Sequence, residues 1–278
     1  MRVDLHMHST ASDGVYSPAE VVQIAVINHM DVIALTDHDS MGGIRAARDA
    51  AASTGLQVLA GVELSSEDET TDRHILGYLM DIDHVPLGTL LTELRDSRTN
   101  RAAKMVEKLT ALGINVSIER VMALSNSGAV GRPHVARALV EGRYVASIQE
   151  AFDKYIGDNG PAYVPHYRLE PQRAISLIHD AGGVAVLAHP GHFADYRPVI
   201  ESLVPLGLDG IEVYYPDHTP AVIEDLNVLA RQHKLVTTVG SDFHRREGDG
   251  SARIGSVKTP PNLGIVEALR ERAKTYQA

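Results

Sequence analysis

Val3-Asp4-Leu5-His6-Met7-His8-Ser9 is an apolar run that ends in His-x-His. Side chains two apart on a strand share a face, so His6 and His8 can aim at one ion. The next residues, Ser12-Asp13-Gly14, read as a tight turn that presents a carboxylate at the same strand end. The pattern recurs. Val32–Leu35 breaks into Thr36-Asp37-His38-Asp39, where His38 is read as a ligand and Asp39 as an ordinary loop entry. Glu63 interrupts the apolar run Leu59–Leu64. A buried carboxylate is costly there unless it is paired or bound to metal. His74 opens the run Ile75-Leu76-Gly77-Tyr78, and would reach the same rim if that strand ran antiparallel beside the Glu63 strand. Val184–Ala188 ends in His189-Pro190-Gly191-His192, and Leu235–Gly240 ends in Ser241-Asp242-Phe243-His244.

A satisfied core histidine explains one or two such positions. It does not explain His6, His8, Asp13, His38, Glu63, His74, His189, Asp242 and His244 together. These are read as metal ligands, and nine exceed what one ion requires. Two or three divalent ions follow, with Glu63 or Asp242 able to bridge. The chain has no cysteine, so the donors are imidazole and carboxylate, which suit Mn2+, Zn2+, Fe2+ or Mg2+. His29, His84, His166, His179, His218 and His233 lack a strand-end setting and are read as surface residues.

Groups this far apart in sequence meet only if an ordered scaffold carries them. Strand-like runs at Val3–His8, Asp31–Thr36, Gln57–Leu64, Val184–Ala188, Gly210–Tyr214 and Leu235–Gly240 alternate with helix-like stretches, the mark of a mostly parallel α/β fold. In α/β barrels catalytic groups converge at the C-terminal strand ends. Helices are expected from Ser17-Pro18, over Gly43–Ser53 and over Pro171–Ala181. From Leu87 to Tyr155 the spacing is helical only: Leu90, Leu91, Leu94, Met105, Leu109 and Leu112 stop at Gly113, with further helices at Ile118–Leu124, Pro133–Glu141 and Ile148–Tyr155. The expected domains are a barrel over 1–86 and 161–278, and a helical insertion over 87–160 capping the site.

The 278 residues carry a formal charge of −10, which argues against wrapping long nucleic acid. The insertion differs: ten Lys and Arg against eight Asp and Glu make it +2, leaving −12 on the rest. No apolar run can span a bilayer, and a motif beginning at His6 leaves no room for a cleaved leader. A cytoplasmic chain is expected, with no membrane contact and no obligate protein partner.

Taken together, His6-x-His8-Ser9, Ser12-Asp13-Gly14, Thr36-Asp37-His38, Glu63, His74, His189-Pro190 and Gly240-Ser241-Asp242-Phe243-His244 resemble the PHP (polymerase and histidinol phosphatase) phosphoesterases, relatives of the amidohydrolases. The resemblance runs from residue 6 to 244. It implies a distorted (β/α)7 barrel and a trinuclear metal centre, Mn2+ being the ion that best fits. It also implies the partition: His6, His8 and Asp242 with Glu63 shared; Glu63, His74 and His189; and Asp13, His38 and His244.

Within the insertion, Gly131-Arg132-Pro133-His134-Val135-Ala136-Arg137 and Arg98-x-x-Arg101-Ala102 look like the bacterial members that hydrolyse nucleoside 3′,5′-bisphosphates. Some relatives also trim short RNA from its 5′ end. Pro133 suits a first helical turn, whose free N–H groups with Arg132 and His134 can hold an anion. Ser12, Asp13, Arg101, Arg132, His134 and His192 are the expected substrate contacts, while Asp242 and His192 are the expected catalytic groups, His192 as general acid. The implied reaction is in-line attack of water on the 3′-phosphorus, giving a nucleoside 5′-monophosphate and phosphate. A histidinol-phosphate phosphatase would prefer an acidic surround, which these arginines oppose. An amidohydrolase or deaminase would often use a bridging barrel lysine, and no lysine stands at a strand end. A non-catalytic metal-binding module would not need the complete ligand set.

Overall fold

The apolar runs pair side by side in the order they occur along the chain. In the computed structural model, which describes residues 1–67, 72–125, 130–165, 167, 169–244, 252–261 and 263–277, seven strands form one sheet. They are β1 (Val3–Asp4), β2 (Val32–Leu35), β3 (Gln57–Glu67), β4 (Asp72–Tyr78), β5 (Val184–Leu187), β6 (Gly210–Tyr214) and β7 (Val236–Val239). All neighbours are parallel except β4, which runs antiparallel to both β3 and β5. The reversal places His74 opposite Ser65, near the end of β3 where Glu63 lies.

The strand expected through His8 pairs regularly only over Val3–Asp4. Beyond it the chain stays extended and closes the barrel against the end of β7. Leu5 N–H donates to Val239 O at 2.9 Å, Asp242 N–H to His6 O at 2.8 Å and His8 N–H to Phe243 O at 2.8 Å. The Tyr78 side chain fills the interior, its hydroxyl donating to Leu5 O at 3.0 Å.

Ten helices occur among the described residues: α1 (Pro18–Ile27), α2 (Ile44–Ala51), α3 (Val85–Ala111), α4 (Ile118–Leu124), α5 (Arg132–Glu141), α6 (Ile148–Ala151), α7 (Pro171–Asp180), α8 (Arg197–Leu203), α9 (Pro220–His233) and α10 (Ile265–Ala273). Ser17 and Glu20 form a reciprocal cap on α1, with Pro18 in the first turn. The helix expected over Ile148–Tyr155 starts as α6 and loosens into a wider π-type turn over Phe152–Ile156.

Three apolar clusters result. The largest lies in the barrel and its helix layer, a second under α1 and α2, and a third joins Ala102 to Val164 through α3, α4 and α5. The expected boundary at 87 falls inside α3, because Leu87, Leu90, Leu91 and Leu94 pack into the barrel cluster. The second half of α3, from Ala102, belongs to the insertion's own core. One helix therefore contributes to both clusters.

Candidate metal centre

The strand ends bring the nine candidate ligands to one rim. His6 and His8 follow β1, Asp13 stands in the turn after them, His38 follows β2, Glu63 lies in β3, His74 in β4, His189 just after β5, and Asp242 and His244 after β7. The carboxylate of Glu63 sits among them. Its oxygens lie 3.2 Å from His6 Nε2, 3.2 Å from His8 Nε2, 3.2 Å from His38 Nδ1, 2.7 Å from His74 Nδ1 and 3.3 Å from His189 Nε2. Asp242 Oδ1 lies 3.3 Å from His6 Nε2 and 3.1 Å from His8 Nε2, while His244 Nε2 is 3.3 Å from Asp13 Oδ1.

Among the described residues, three groups have donor atoms within 4.8 Å of one another: His6, His8, Glu63 and Asp242; His38, Glu63 and His74; and His8, Asp13, His38 and His244. The first matches the implied partition. The others share His38 and His8 more widely than the resemblance implied, and His189 meets Glu63 from the side. The donors form a continuous patch rather than three separate cups.

Only the His6 and His189 contacts to Glu63 have hydrogen-bond geometry; the others are close without it. Both ring nitrogens of His8, Nδ1 of His38, His74 and His189, and Oδ1 of Asp242 are buried without a hydrogen-bond partner. Unpaired buried polar atoms cost about 1–3 kcal/mol each, and so many in one place call for a ligand that all of them share. Lone pairs converging from imidazole and carboxylate are a donor set for borderline or hard divalent cations. The residues fit the ions that the sequence implies. Burial would raise the Glu63 carboxyl, but His38, His6 and His74 outweigh it and hold the group well below the usual carboxylate range. Burial opposes charge on His8 too, yet Asp242 and Glu63 outweigh it and lift that imidazole to about 10. At His38 burial wins, and the value falls to about 3. Asp39, His189 and Asp242 have φ of 49°, 30° and 53°, a left-handed conformation that non-glycine residues adopt at a cost and that clusters at functional sites.

A supporting layer escaped the sequence reading. Glu212, fully buried in β6, contacts His6 Nδ1 and accepts from His189 N–H at 2.9 Å. Tyr215 donates to Asp242 Oδ2 at 2.9 Å. Asp37 accepts from Ser9 N–H, Ser9 Oγ and Ser12 Oγ. Asp39 is buried and paired with Arg98, whose Nε donates to it at 2.6 Å, so it is more than a loop entry. The signal for Glu212 was available: a lone acid in the apolar run Gly210–Tyr214, the same feature that singled out Glu63. His218 corrects the surface reading. It is buried, accepts from Gly191 N–H at 3.0 Å and faces Val213 O at 2.9 Å, and a Cβ on Gly191 would overlap its ring. His179 is also mostly buried, against Asp209 at 2.8 Å. His29 is exposed, His84 and His233 are half-buried, and His166 lies outside the described residues.

Above the rim lies a cavity of about 240 Å³. Asp13, His38 and His74 line it together with Arg98, Arg101, Arg132 and Phe152. Arg101 spends Nε on Val164 O at 2.7 Å and leaves a buried Nη2 without a partner. Burial and the nearby Arg132 bring its pKa down to about 10. Arg132 lies over the Phe152 ring and pairs with Asp158 at 2.6 Å. His134 is buried, and its Nδ1 accepts from Gly131 N–H at 3.0 Å, which caps α5. Ser12 is buried with its hydroxyl given to Asp37 at 2.7 Å. His192 stands half-exposed, stacked on His189 at 4.7 Å.

Comparison with known proteins agrees with this geometry. The PHP domain family matches residues 4–160. The 3′,5′-nucleoside bisphosphate phosphatase of Chromobacterium violaceum is 36% identical over 94% of this chain and 93% of its own. The 5′-3′ exoribonuclease Rnm of Escherichia coli is 37% identical over 87% of this chain and 85% of its own. A solved structure described as an amidohydrolase from Chromobacterium violaceum, with bound sulfate and no metal, superposes with a TM-score of 0.87 at 34% identity, covering 98% of this chain and 97% of that one. Matched by the family over more than half its length, and by relatives over most of it, the chain belongs to the PHP domain family.

Proposed function

We propose that this chain is a metal-dependent phosphatase that removes the 3′-phosphate of nucleoside 3′,5′-bisphosphates, leaving a nucleoside 5′-monophosphate. One observation carries the reading: one cavity is lined both by rim residues, Asp13, His38 and His74, and by the arginines Arg98, Arg101 and Arg132. A substrate with two phosphates can offer one to each set. A relative named for this activity shares 36% of its residues with the chain.

Two or three divalent ions would be held by His6, His8, Asp13, His38, Glu63, His74, His189, Asp242 and His244, with Mn2+ favoured by the mixed imidazole and carboxylate donors. Bound there, they would supply Lewis-acid neutralisation of the phosphoryl oxygens. The chain's own groups do the rest. Arg101 offers its free Nη2 to the 5′-phosphate, and Arg132 and the first turn of α5 stand beside it. Asp242, oriented by Tyr215, is placed to hold or take a proton at the reacting face. Burial and His189 lower the His192 pKa. His192, half-exposed and stacked on His189, is the group assigned to protonate the leaving 3′-oxygen.

A 5′-phosphorylated RNA end presents the same 5′-phosphate, so short RNA is a second substrate on this reading. An acidic chain fits small nucleotides better than long nucleic acid. Among the described residues no helix is long and apolar enough to cross a membrane, and a cytoplasmic location is part of the proposal. The test is phosphate release from adenosine 3′,5′-bisphosphate, histidinol phosphate and a 5′-phosphorylated dinucleotide, with ammonia measured in parallel. Preference for the bisphosphate is expected. Equal rates on all three, or ammonia without phosphate, would sink it.

A further inference from the structure

Among the buried acids next to the rim in the described residues, Glu212 alone reaches two candidate ligands on different loops. We propose that Glu212 is a positioning residue: it fixes the tautomer of His6 and ties the His189 loop to it, so that both imidazoles are aimed before any ion arrives. The inference rests on reading the rim as a divalent-metal centre.

Four observations support it. Both Glu212 oxygens approach His6 Nδ1, at 3.1 and 3.2 Å. A carboxylate accepts, so Glu212 favours a proton on Nδ1, and an ion bound at Nε2 takes the lone pair there. His6 Nε2 is the nitrogen that faces Glu63 Oε2 at 3.2 Å and Asp242 Oδ1 at 3.3 Å, inside the first donor group. Glu212 Oε2 also accepts from the backbone N–H of His189, the residue held at φ 30° at the turn out of β5. Finally, Gly240 makes room for the arrangement. A Cβ there would overlap both His6 Cβ and Glu212 Oε1, although Gly240 itself needs no unusual backbone angle. The glycine of the Gly240-Ser241-Asp242 run therefore serves the Glu212–His6 pair as well as the loop that carries Asp242. A carboxylate behind a ligating imidazole sets its tautomer and orientation, and losing such a partner lowers metal affinity about 10–100-fold.

Glu212→Gln keeps the shape but can accept through only one of its two terminal atoms, so either His6 or His189 loses its anchor. Zinc titration of the metal-free protein by chelator competition is expected to show affinity reduced about 10–100-fold in the variant. In zinc-loaded wild type, long-range 1H–15N NMR should find the His6 proton on Nδ1, slow to exchange, and this measurement needs no variant to fold. Unchanged zinc affinity in Glu212→Gln, even with a lowered melting temperature, would make the residue merely structural and overturn the proposal. So would a wild-type His6 protonated on Nε2. A wild-type chain that takes up no zinc, manganese or magnesium at all would instead overturn the metal-centre reading.

Discussion

Glu63 and Asp209 are carboxylates at opposite ends of the same barrel, each only 1% exposed. Asp209 stands just before β6, at the floor. It accepts from Ala185 N–H at 2.9 Å, Tyr276 Oη at 2.8 Å and Arg272 Nη1 at 3.1 Å, and faces His179 Nε2 at 2.8 Å. Every partner is a donor in hydrogen-bonding geometry, and the group staples α7 and the C-terminal segment to the strands. Glu63 is ringed by imidazoles, several of which have nitrogens that find no partner. Burial is therefore no guide to role. A buried acid whose surroundings are satisfied stabilises the fold, whereas one whose neighbours are left unpaired marks a place where something else must bind.

The contrast can be broken most decisively at the rim. Asp242→Ala, or treatment of the wild type with a chelator, should lower turnover by more than the about 100-fold that loss of a supporting partner costs. The metal-free melting temperature of Asp242→Ala should change little, because loss of the Tyr215 bond to Oδ2 is offset by removal of an Oδ1 that finds no partner. A large fall in that temperature would mean the rim is holding the fold together.

At the floor the opposite is expected. Asp209→Ala leaves His179 and Arg272 without their acid and should cost about 3–5 kcal/mol in urea unfolding. Phosphate release per folded molecule should be unchanged. A third substitution asks whether the insertion selects substrate without doing chemistry. Arg101→Met should lower kcat/KM for adenosine 3′,5′-bisphosphate by about 1.5–3 kcal/mol, the value of a hydrogen bond to a charged group. Adenosine 3′-monophosphate, which lacks the second phosphate, should be hydrolysed at an unaltered rate.

The smallest effect is in acid. Burial would raise the Asp209 carboxyl, but its bonds to His179, Ala185 N–H and Tyr276 outweigh burial and hold it below its ordinary value. A depressed folded pKa contributes stability above the unfolded value, near 3.9, and that stability is lost as pH falls through the folded one. Melting temperature should thus drop below about pH 4 in the wild type, with a shallower slope in Asp209→Asn. Equal slopes would mean that Asp209 is not ionised in the folded chain.

Much of the rim was legible in the sequence because each ligand is announced locally. His6-x-His8, His189-Pro190 and Asp242-x-His244 stand where an apolar run stops, and a strand's period of two decides which side chains share a face. Glu63 was visible because a charge inside an apolar run is costly. The antiparallel β4 was legible only as a condition, since His74 begins its run where the other histidines end theirs.

The supporting partners were hidden for a different reason. Glu212 meets His6 across 206 positions, Tyr215 meets Asp242 across 27 and Arg98 meets Asp39 across 59. Such pairs leave no spacing to count. His179 and His218 looked like surface residues because helical and turn settings say nothing about which element will pack on top. The order of apolar runs and the identity of the ligand-type residues were settled by the chain alone, since local periodicity and the cost of buried charge act within a few residues. Which imidazole shares which carboxylate, and what stands behind each ring, was decided only when the barrel closed. Hydrogen bonds and ion contacts depend on distances of about 3 Å, and only the packed strands set distances that finely.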